Sequence, residues 1–230
     1  MKRSMVLVLV ILLLSMSIGL QTATAAEQPA DPETVYQSGE YRYGIREDGT
    51  AIIVKYQGKA KQAAIPAELD GHTVTAILHG AFYGCKSLDA VAIPETVTEI
   101  GAQAFHFCGF IVDISIPDGV ETINDLTFSN CDSLTTVTLP DSVTAIGKEA
   151  FAQCYSLENI NIPDGVTSIG EEAFILCMDL MTINIPDSVS SIGEDAFAAC
   201  PYLTVTVGEG SYAEQYCIDN GLAYIYRSTE

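Results

Sequence analysis

Residues 150–170 read AFAQCYSLENINIPDGVTSIG, and residues 173–193 repeat the pattern as AFILCMDLMTINIPDSVSSIG. A phenylalanine followed three residues later by a cysteine recurs six times at a fixed interval of 23 residues, as Phe82/Cys85, Phe105/Cys108, Phe128/Cys131, Phe151/Cys154, Phe174/Cys177 and Phe197/Cys200. Twelve residues after each of the first five phenylalanines stands a proline, at Pro94, Pro117, Pro140, Pro163 and Pro186. A strict period between about 20 and 50 residues is typical of stacked repeats. The sequence therefore predicts a solenoid with one coil per repeat.

Each repeat is predicted to contain a helical or 3₁₀ turn, a strand, a corner and a second short strand. In the unit spanning residues 147–169, Phe151 faces inward from the turn. Ile160 and Ile162 alternate with asparagines, which is typical of a strand with one buried face. Residues 163–165, Pro-Asp-Gly, form the corner. Because one such coil cannot bury its own apolar side, we expect the coils to stack in register.

The segments on either side of the repeats are predicted to close the two ends of the stack. Residues 41–56 contain two alternating strands around an Asp-Gly turn, which predicts a β-hairpin. Near the other end, Ser211 is a candidate N-cap of a helix that is followed by a strand. We therefore predict a linker and N-terminal β cap over residues 26–64, repeats over 65–203 and a C-terminal cap over 204–230.

The first 25 residues predict a signal peptide for export. Lys2 and Arg3 precede an unbroken apolar run from Val6 to Leu14, and Ala23-Thr24-Ala25 supplies the small residues of a cleavage site. The alternative interpretation is a membrane anchor, for which this run is short. With cleavage near Ala25, we expect a mature chain without a transmembrane segment that is secreted, extracellular or bound at the cell surface.

The chain is strongly acidic, with 10 Lys and Arg against 30 Asp and Glu and a net charge of −20. Removal of Lys2 and Arg3 with the signal peptide leaves 8 basic residues and a net charge of −22. Such a surface repels nucleic acids and anionic membranes. We therefore expect no nucleic-acid partner, whereas a basic partner or weakly bound cations remain compatible with this charge.

Six of the seven cysteines share one phase of the repeat and are predicted to form a column of buried thiols. Neighbours in register on stacked strands lie about 4.8 Å apart with parallel Cβ vectors. A relaxed disulfide requires Cβ atoms about 3.8 Å apart and a specific dihedral angle. Disulfides remain the alternative in an exported protein, whereas a zinc or redox site lacks suitably spaced ligands. Cys217 lies out of phase.

The repeat resembles the BspA-type (Treponema pallidum-type) leucine-rich repeat of bacterial secreted and surface proteins. The resemblance is carried by residues 81–101, 150–170 and 173–193, and the flanking segments are similar to the caps of that family. It implies a leucine-rich-repeat solenoid that is rich in β structure (α+β). The expected architecture has about six coils, a parallel strand column, an N-terminal hairpin cap and a C-terminal helix and strand. Some relatives are described as adhesins for extracellular-matrix proteins.

No motif of a hydrolase, metalloprotease, nucleotide-binding loop or EF-hand occurs, so we expect neither an enzyme nor a cofactor or metal site. Solenoids present the outward face of their main strands to partners. The candidate partner-binding residues, called the strand face below, are Asp113, Ser115, Thr136, Thr138, Asn159, Asn161, Thr182 and Asn184. The alternative is that these small polar residues serve solubility alone, because the face lacks the aromatic and arginine residues of binding hot spots.

An acidic residue follows each proline of the repeat, and these residues are called the acidic column: Glu95, Asp118, Asp141, Asp164 and Asp187. Stacked carboxylates about 5 Å apart repel each other unless a cation lies between them. The favoured interpretation is a Pro-Asp turn residue that bonds its own backbone. Calcium bridging is the alternative.

Three hypotheses about function follow. The first is a non-enzymatic secreted or cell-surface module, favoured as a monomer, that binds a protein or a surface glycan in an adhesin-like manner. The second is a structural spacer or envelope component without a specific ligand. The third is an inhibitor or accessory subunit of a larger exported complex.

Overall fold

A computed structural model describes residues 31–228, which form one stack of coils. Eighteen strands and one helix make up the regular structure. They are β1 (Val35–Ser38), β2 (Tyr41–Ile45), β3 (Ala51–Tyr56), β4 (Gln62–Ala64), β5 (Glu68–Leu69), β6 (His72–Ile77), β7 (Ala90–Ala92), β8 (Glu99–Ile100), β9 (Asp113–Ser115), β10 (Thr122–Ile123), β11 (Thr136–Thr138), β12 (Ala145–Ile146), β13 (Asn159–Asn161), β14 (Ser168–Ile169), β15 (Thr182–Asn184), β16 (Ser191–Ile192), β17 (Thr204–Val207), α1 (Tyr212–Asn220) and β18 (Ala223–Tyr226). The predicted signal peptide over residues 1–25 lies outside the described residues.

The main sheet forms one side of the stack and confirms the predicted parallel strand column. Its eight strands follow the order β4-β7-β9-β11-β13-β15-β17-β18, and all neighbouring pairs are parallel. The central strands have three residues, of which the middle one is buried, as the alternation in the sequence predicts. β4 lies just before residue 65 and β18 in the last cap, so the sheet continues through both end regions.

The second side of the stack consists of two-residue strands that follow each Pro-containing corner. β10, β12, β14 and β16 pair in parallel, and β8 pairs in parallel with β6 of the first repeat. At each corner the amide three residues after the proline donates to the proline carbonyl, as Val166 does to Pro163 at 3.0 Å. The corner is therefore a hydrogen-bonded β-turn, as expected of a Pro-Asp sequence.

On the third side of the stack, the prediction of a helical or 3₁₀ turn is wrong. The Phe151 and Gln153 amides each donate at 2.8 Å to the next coil, to Ala173 and Ile175, whereas the amide between them donates within its own turn. In a 3₁₀ helix every amide would bond internally. Gln153 has a φ of 59°, which turns alternate amides toward the neighbouring coil. This side therefore also ties successive coils together.

The N-terminal cap contains the predicted hairpin. β2 and β3 are antiparallel, and Gly49 has a φ of 83° in the turn between them. β1 extends this sheet on the outside, and β3 pairs in parallel with β6. Extra residues in the first repeat form the small β5–β6 hairpin. Arg46 joins the cap to the repeats through a bidentate ion pair with Glu99, at 2.8 and 2.6 Å.

The C-terminal cap also follows the sequence prediction. Ser211 accepts a hydrogen bond from the Glu214 amide at 3.1 Å and so caps the first turn of α1. Glu214 reaches back to the Gly210 amide at 2.6 Å. Gly221 ends the helix with a φ of 66°, and its amide bonds the last carbonyls of α1. β18 then closes the main sheet.

The core is organised around a column of stacked aromatic rings. The six repeated phenylalanines are fully buried, and their ring centroids are separated by 5.0 to 5.5 Å with interplanar angles of 25° or less. Tyr56 stacks on Phe82 at one end, and Tyr216 meets Phe197 edge-on at the other. The Tyr56 hydroxyl donates a hydrogen bond to Glu40, and the Tyr216 hydroxyl donates one to the Gly193 carbonyl. The two tyrosines therefore end the apolar column with polar groups.

The cysteines lie beside this column as free thiols, which confirms the prediction of stacked thiols. Five of the thiols also donate to the backbone, each to the phenylalanine carbonyl of the preceding coil: those of Cys108, Cys131, Cys154, Cys177 and Cys200. Cys108 Sγ lies 3.0 Å from the Phe82 carbonyl oxygen, and Cys154 Sγ lies 3.2 Å from that of Phe128. The Phe82 carbonyl also accepts the Cys85 amide at 3.1 Å. A buried carbonyl thus obtains two donors, one from each coil.

Replacing one ring of the column is expected to destabilise the whole stack. Phe174→Ala should lower the free energy of unfolding by about 3–5 kcal/mol, because the large cavity is lined by neighbouring rings that cannot close it. Denaturant titration followed by circular dichroism measures the change. Tyr202→Ala, at a side chain that is 69% exposed, is the control and should change stability by less than about 0.5 kcal/mol. A loss below about 1 kcal/mol for Phe174→Ala would contradict the packing.

The thiols are expected to differ in their rates of alkylation. Burial raises the pKa of Cys131 to about 12 and that of Cys154 well above its ordinary value, and only the thiolate reacts. Cys85 and Cys200 are partly exposed, and hydrogen bonds from Cys108 and Cys177 lower their pKa values. Mass spectrometry should therefore show Cys85 and Cys200 modified first in the native protein, and all seven after unfolding without reductant. Cysteines linked in pairs would overturn this arrangement.

Candidate functional site

The main sheet brings the eight residues of the strand face together in two parallel columns. In the first column, Asp113 pairs with Thr136, Thr136 with Asn159 and Asn159 with Thr182. The second column contains Ser115 opposite Thr138 and Asn161 opposite Asn184. Because the residues between the columns are the buried isoleucines and valines of the core, both columns point away from it.

Most of the strand face is free of internal contacts. Seven of its residues are exposed, and within the described part of the chain only Asn184 makes a side-chain hydrogen bond. Asn184 accepts it at 3.2 Å from Arg227, which also pairs with Asp187 at 3.3 Å and donates to the Ile185 carbonyl. The C-terminal end of the face is therefore occupied by the chain's own arginine, and the open part is the stretch from β9 to β13.

The open part offers hydroxyl, amide and carboxylate groups at a regular spacing. Rungs of a parallel sheet repeat about every 4.8 Å, so the face is a periodic set of short donors and acceptors. Such groups hydrogen-bond to sugar hydroxyls or to peptide groups, but they supply little apolar area of their own. Within residues 31–228 no group of three or more His, Cys, Asp or Glu side chains is arranged to hold a metal ion.

The acidic column runs along the Pro-containing corner, and all five of its carboxylates are exposed. The Asp118 amide donates to the Glu95 carboxylate of the preceding coil at 3.4 Å. At the other end, Asp187 is paired with Arg227 at 3.3 Å. These contacts use the carboxylates one at a time, and a turn residue stays the favoured prediction over a calcium bridge.

Sequence reasoning missed an aromatic group on the turn side of the first two coils. The ring of Tyr83 stacks on His106 with centroids 5.4 Å apart, and Phe107 meets both rings edge-on. Phe110 follows and is among the exposed large apolar residues. A signal was present in the sequence, because the aromatic residues of the second coil are replaced by small or polar residues at the equivalent positions of the third coil. These are Ser129, Asn130 and Ser133.

The chain belongs to the BspA-type leucine-rich-repeat family. The model of the BspA-type leucine-rich-repeat region matches six copies over residues 75–204, which confirms the resemblance read from the repeat. No curated protein is similar enough to count as a match.

Solved leucine-rich-repeat structures share this fold. The T. pallidum leucine-rich-repeat protein TpLRR is 33% identical, with a TM-score of 0.71 over 76% of this chain and 82% of that one. A leucine-rich-repeat protein from Bacteroides ovatus is 34% identical, with a TM-score of 0.68 over 74% of this chain and 46% of that one. The pneumococcal vaccine antigen PcpA, at 14% identity and a TM-score of 0.51 over 74% of this chain and 56% of that one, shares the fold alone. Residues 31–228 include no helix that is both long enough and apolar enough to cross a membrane.

Calcium is not expected to stabilise the protein through the acidic column. Millimolar calcium should leave the melting temperature unchanged, because single carboxylates at a turn bind calcium far more weakly than a site with six to eight oxygen ligands. Thermal unfolding with calcium and with a chelator measures the effect. A rise of several degrees that Asp141→Asn abolishes would establish a calcium bridge instead.

Proposed function

We propose that this protein is a non-enzymatic, secreted or cell-surface interaction module that binds a protein or a surface glycan through the strand face. The observation that carries the proposal is the open stretch from β9 to β13, whose six polar side chains form no hydrogen bonds with one another. The donors and acceptors of these exposed groups are therefore free to bond to another molecule. Membership of a family of repeat proteins supports the same interpretation.

The rigidity of the face supports binding as well. Each central strand is held on both edges by parallel partners, and its middle residue is anchored in the core. The polar side chains therefore stand at positions that do not change when a ligand arrives, which limits the entropy lost on binding. A glycan or an extended peptide can lie along such a face and meet equivalent groups at every coil.

Export and surface location form part of the proposal. The apolar run of residues 6–14 and the small residues before position 26 support a signal peptide. The acidic character of the chain supports a neutral or basic partner over an anionic one.

The test places two long cationic side chains in the middle of the open stretch. Asn159→Arg/Asn161→Arg should weaken binding by at least about tenfold, because the new side chains cover the neighbouring rungs. Binding of the purified protein is measured on arrays of cell-wall glycans and extracellular-matrix proteins. The melting temperature should stay within about 2 °C, because both positions are exposed.

A matched control separates coverage of the face from the change in charge. Glu194→Arg alters the net charge by the same two units at an exposed position on the turn side and should leave binding unchanged. Equal binding by the wild type and the strand-face variant would exclude the strand face. No binding to any glycan or matrix protein on the arrays would favour a structural spacer or an accessory subunit.

A further inference from the structure

A second surface, separate from the open stretch of the strand face, is formed by aromatic residues that the repeat does not require. Tyr83, Phe107 and Phe110 lie on two successive coils, where the turn side approaches the main sheet, and are called the aromatic corner. All three are exposed, and Phe110 retains 55% of its surface. Single exposed apolar residues are normal, but a cluster of them marks an interaction site.

Two rings of this corner, those of Tyr83 and Phe107, are held in place by each other and by His106. Tyr83 and Phe107 have centroids 5.7 Å apart, and His106 lies beneath them, 5.4 Å from Tyr83 and 4.2 Å from Phe107. His106 is 9% exposed, and its Nδ1 atom has no hydrogen-bond partner within residues 31–228. A buried polar atom without a partner costs free energy, so the fold accepts a local penalty to keep this arrangement.

The other coils show that the fold does not depend on these rings. The position of Phe107 is occupied by Gly84 in the preceding coil and by Asn130 in the next. Phe107 has a φ of 59°, a region that glycine and asparagine enter more easily than phenylalanine. The position of Phe110 is occupied by Ser133 and then Ser156. An aromatic residue at either position therefore brings no packing advantage that the repeat needs.

Two carboxylates without partners flank the aromatic corner. Asp132 lies next to Gly109, where a Cβ atom would stand 3.5 Å from its Oδ2 atom. Asp113 begins β9, three residues after Phe110. Neither forms an ion pair or a side-chain hydrogen bond within residues 31–228. The nearby cation is Lys86, at the position of Gly109 in the preceding coil, so the two acids leave this surface negative.

We propose that the aromatic corner, with Asp113 and Asp132, is a docking site for a basic, partly apolar peptide segment of a partner protein. The phenylalanine rings receive apolar side chains and the faces of guanidinium groups, and the carboxylates pair with Lys or Arg. The two carboxylates favour a cationic peptide over a neutral sugar. A basic segment also complements the net charge of −20, which raises its rate of association.

The state of His106 supports a basic occupant. Burial lowers its pKa below the ordinary value for histidine, so the ring is uncharged at neutral pH and does not repel a cation. The site shares only Asp113, at the edge of β9, with the open stretch of the strand face. Its other residues lie on the turn side, apart from Asn159 and Asn161 on β13, where the strand-face variants are placed. Failure of one proposal therefore does not decide the other.

A tryptophan-containing peptide gives a direct test, because the chain itself has no tryptophan. The probe is a short peptide of alternating Arg and Leu around one Trp, whose fluorescence reports binding to the full-length protein. The comparison probes are the same peptide with Glu in place of Arg and a neutral N-acetylglucosamine oligomer, which is tested as a competitor. The basic peptide should bind, more weakly at raised salt, and neither comparison probe should replace it.

The residues that replace Phe107 and Phe110 are those of the next coil, Asn130 and Ser133, so both suit their positions. Phe107→Asn/Phe110→Ser should weaken binding of the basic peptide about tenfold, and Asp132→Asn about two- to fivefold. Tyr202→Ser, at the position of Phe110 in the last coil, should leave binding unchanged, as should the strand-face variant Asn161→Arg. The proposal fails if the Glu peptide binds equally well, if the oligomer displaces the basic peptide, if Phe107→Asn/Phe110→Ser binds normally, or if no peptide binds.

Discussion

The hydrogen bonds between successive coils impose a single repeat distance, and the rest of the molecule depends on it. They occur on all three sides of the stack, in the main sheet, between the two-residue strands and from alternate amides of the turn side. Every side chain at one phase of the repeat therefore meets its equivalent at the same distance. At this distance the phenylalanine rings stack with centroids 5.0 to 5.5 Å apart, which is within the range that aromatic pairs prefer.

The same distance explains why cysteine suits its position. The carbonyl of each of the first five repeated phenylalanines accepts an amide of its own turn and still has a free lone pair in a dry interior. A thiol from the next coil is small enough to fit there, and its weak donor reaches the carbonyl at 3.0 to 3.3 Å. Serine would be a stronger donor but is costlier to bury, whereas alanine would leave the lone pair unused. The column of thiols thus supplies hydrogen bonds to buried backbone carbonyls, and this role requires neither a disulfide nor a metal.

Both proposals place function in what varies between coils, because the repeated positions are committed to packing. The strand face and the aromatic corner illustrate two ways of using that freedom. The strand face places short polar groups at every rung, so it suits a ligand that is itself extended or repetitive. The aromatic corner is confined to two coils and concentrates apolar area with two unpaired carboxylates, so it suits one anchored segment. Arg227 limits the first surface by occupying its last rung at Asn184 and Asp187.

Periodicity alone determined the coil, the buried residues, the in-phase thiols and the outward direction of Thr136, Asn159 and their neighbours, because each depends on position within one repeat. The two caps could also be predicted from the sequence, since Asp48-Gly49 forms a turn and Ser211 caps a helix through local backbone contacts. Only the tertiary structure decided the hydrogen bonding of the turn side, the tyrosines that end the ring column, the position of Arg227 and the clustering of Tyr83, His106 and Phe107. These features join residues of different coils or of the ends, and their contacts follow from how the coils stack, which no single repeat encodes.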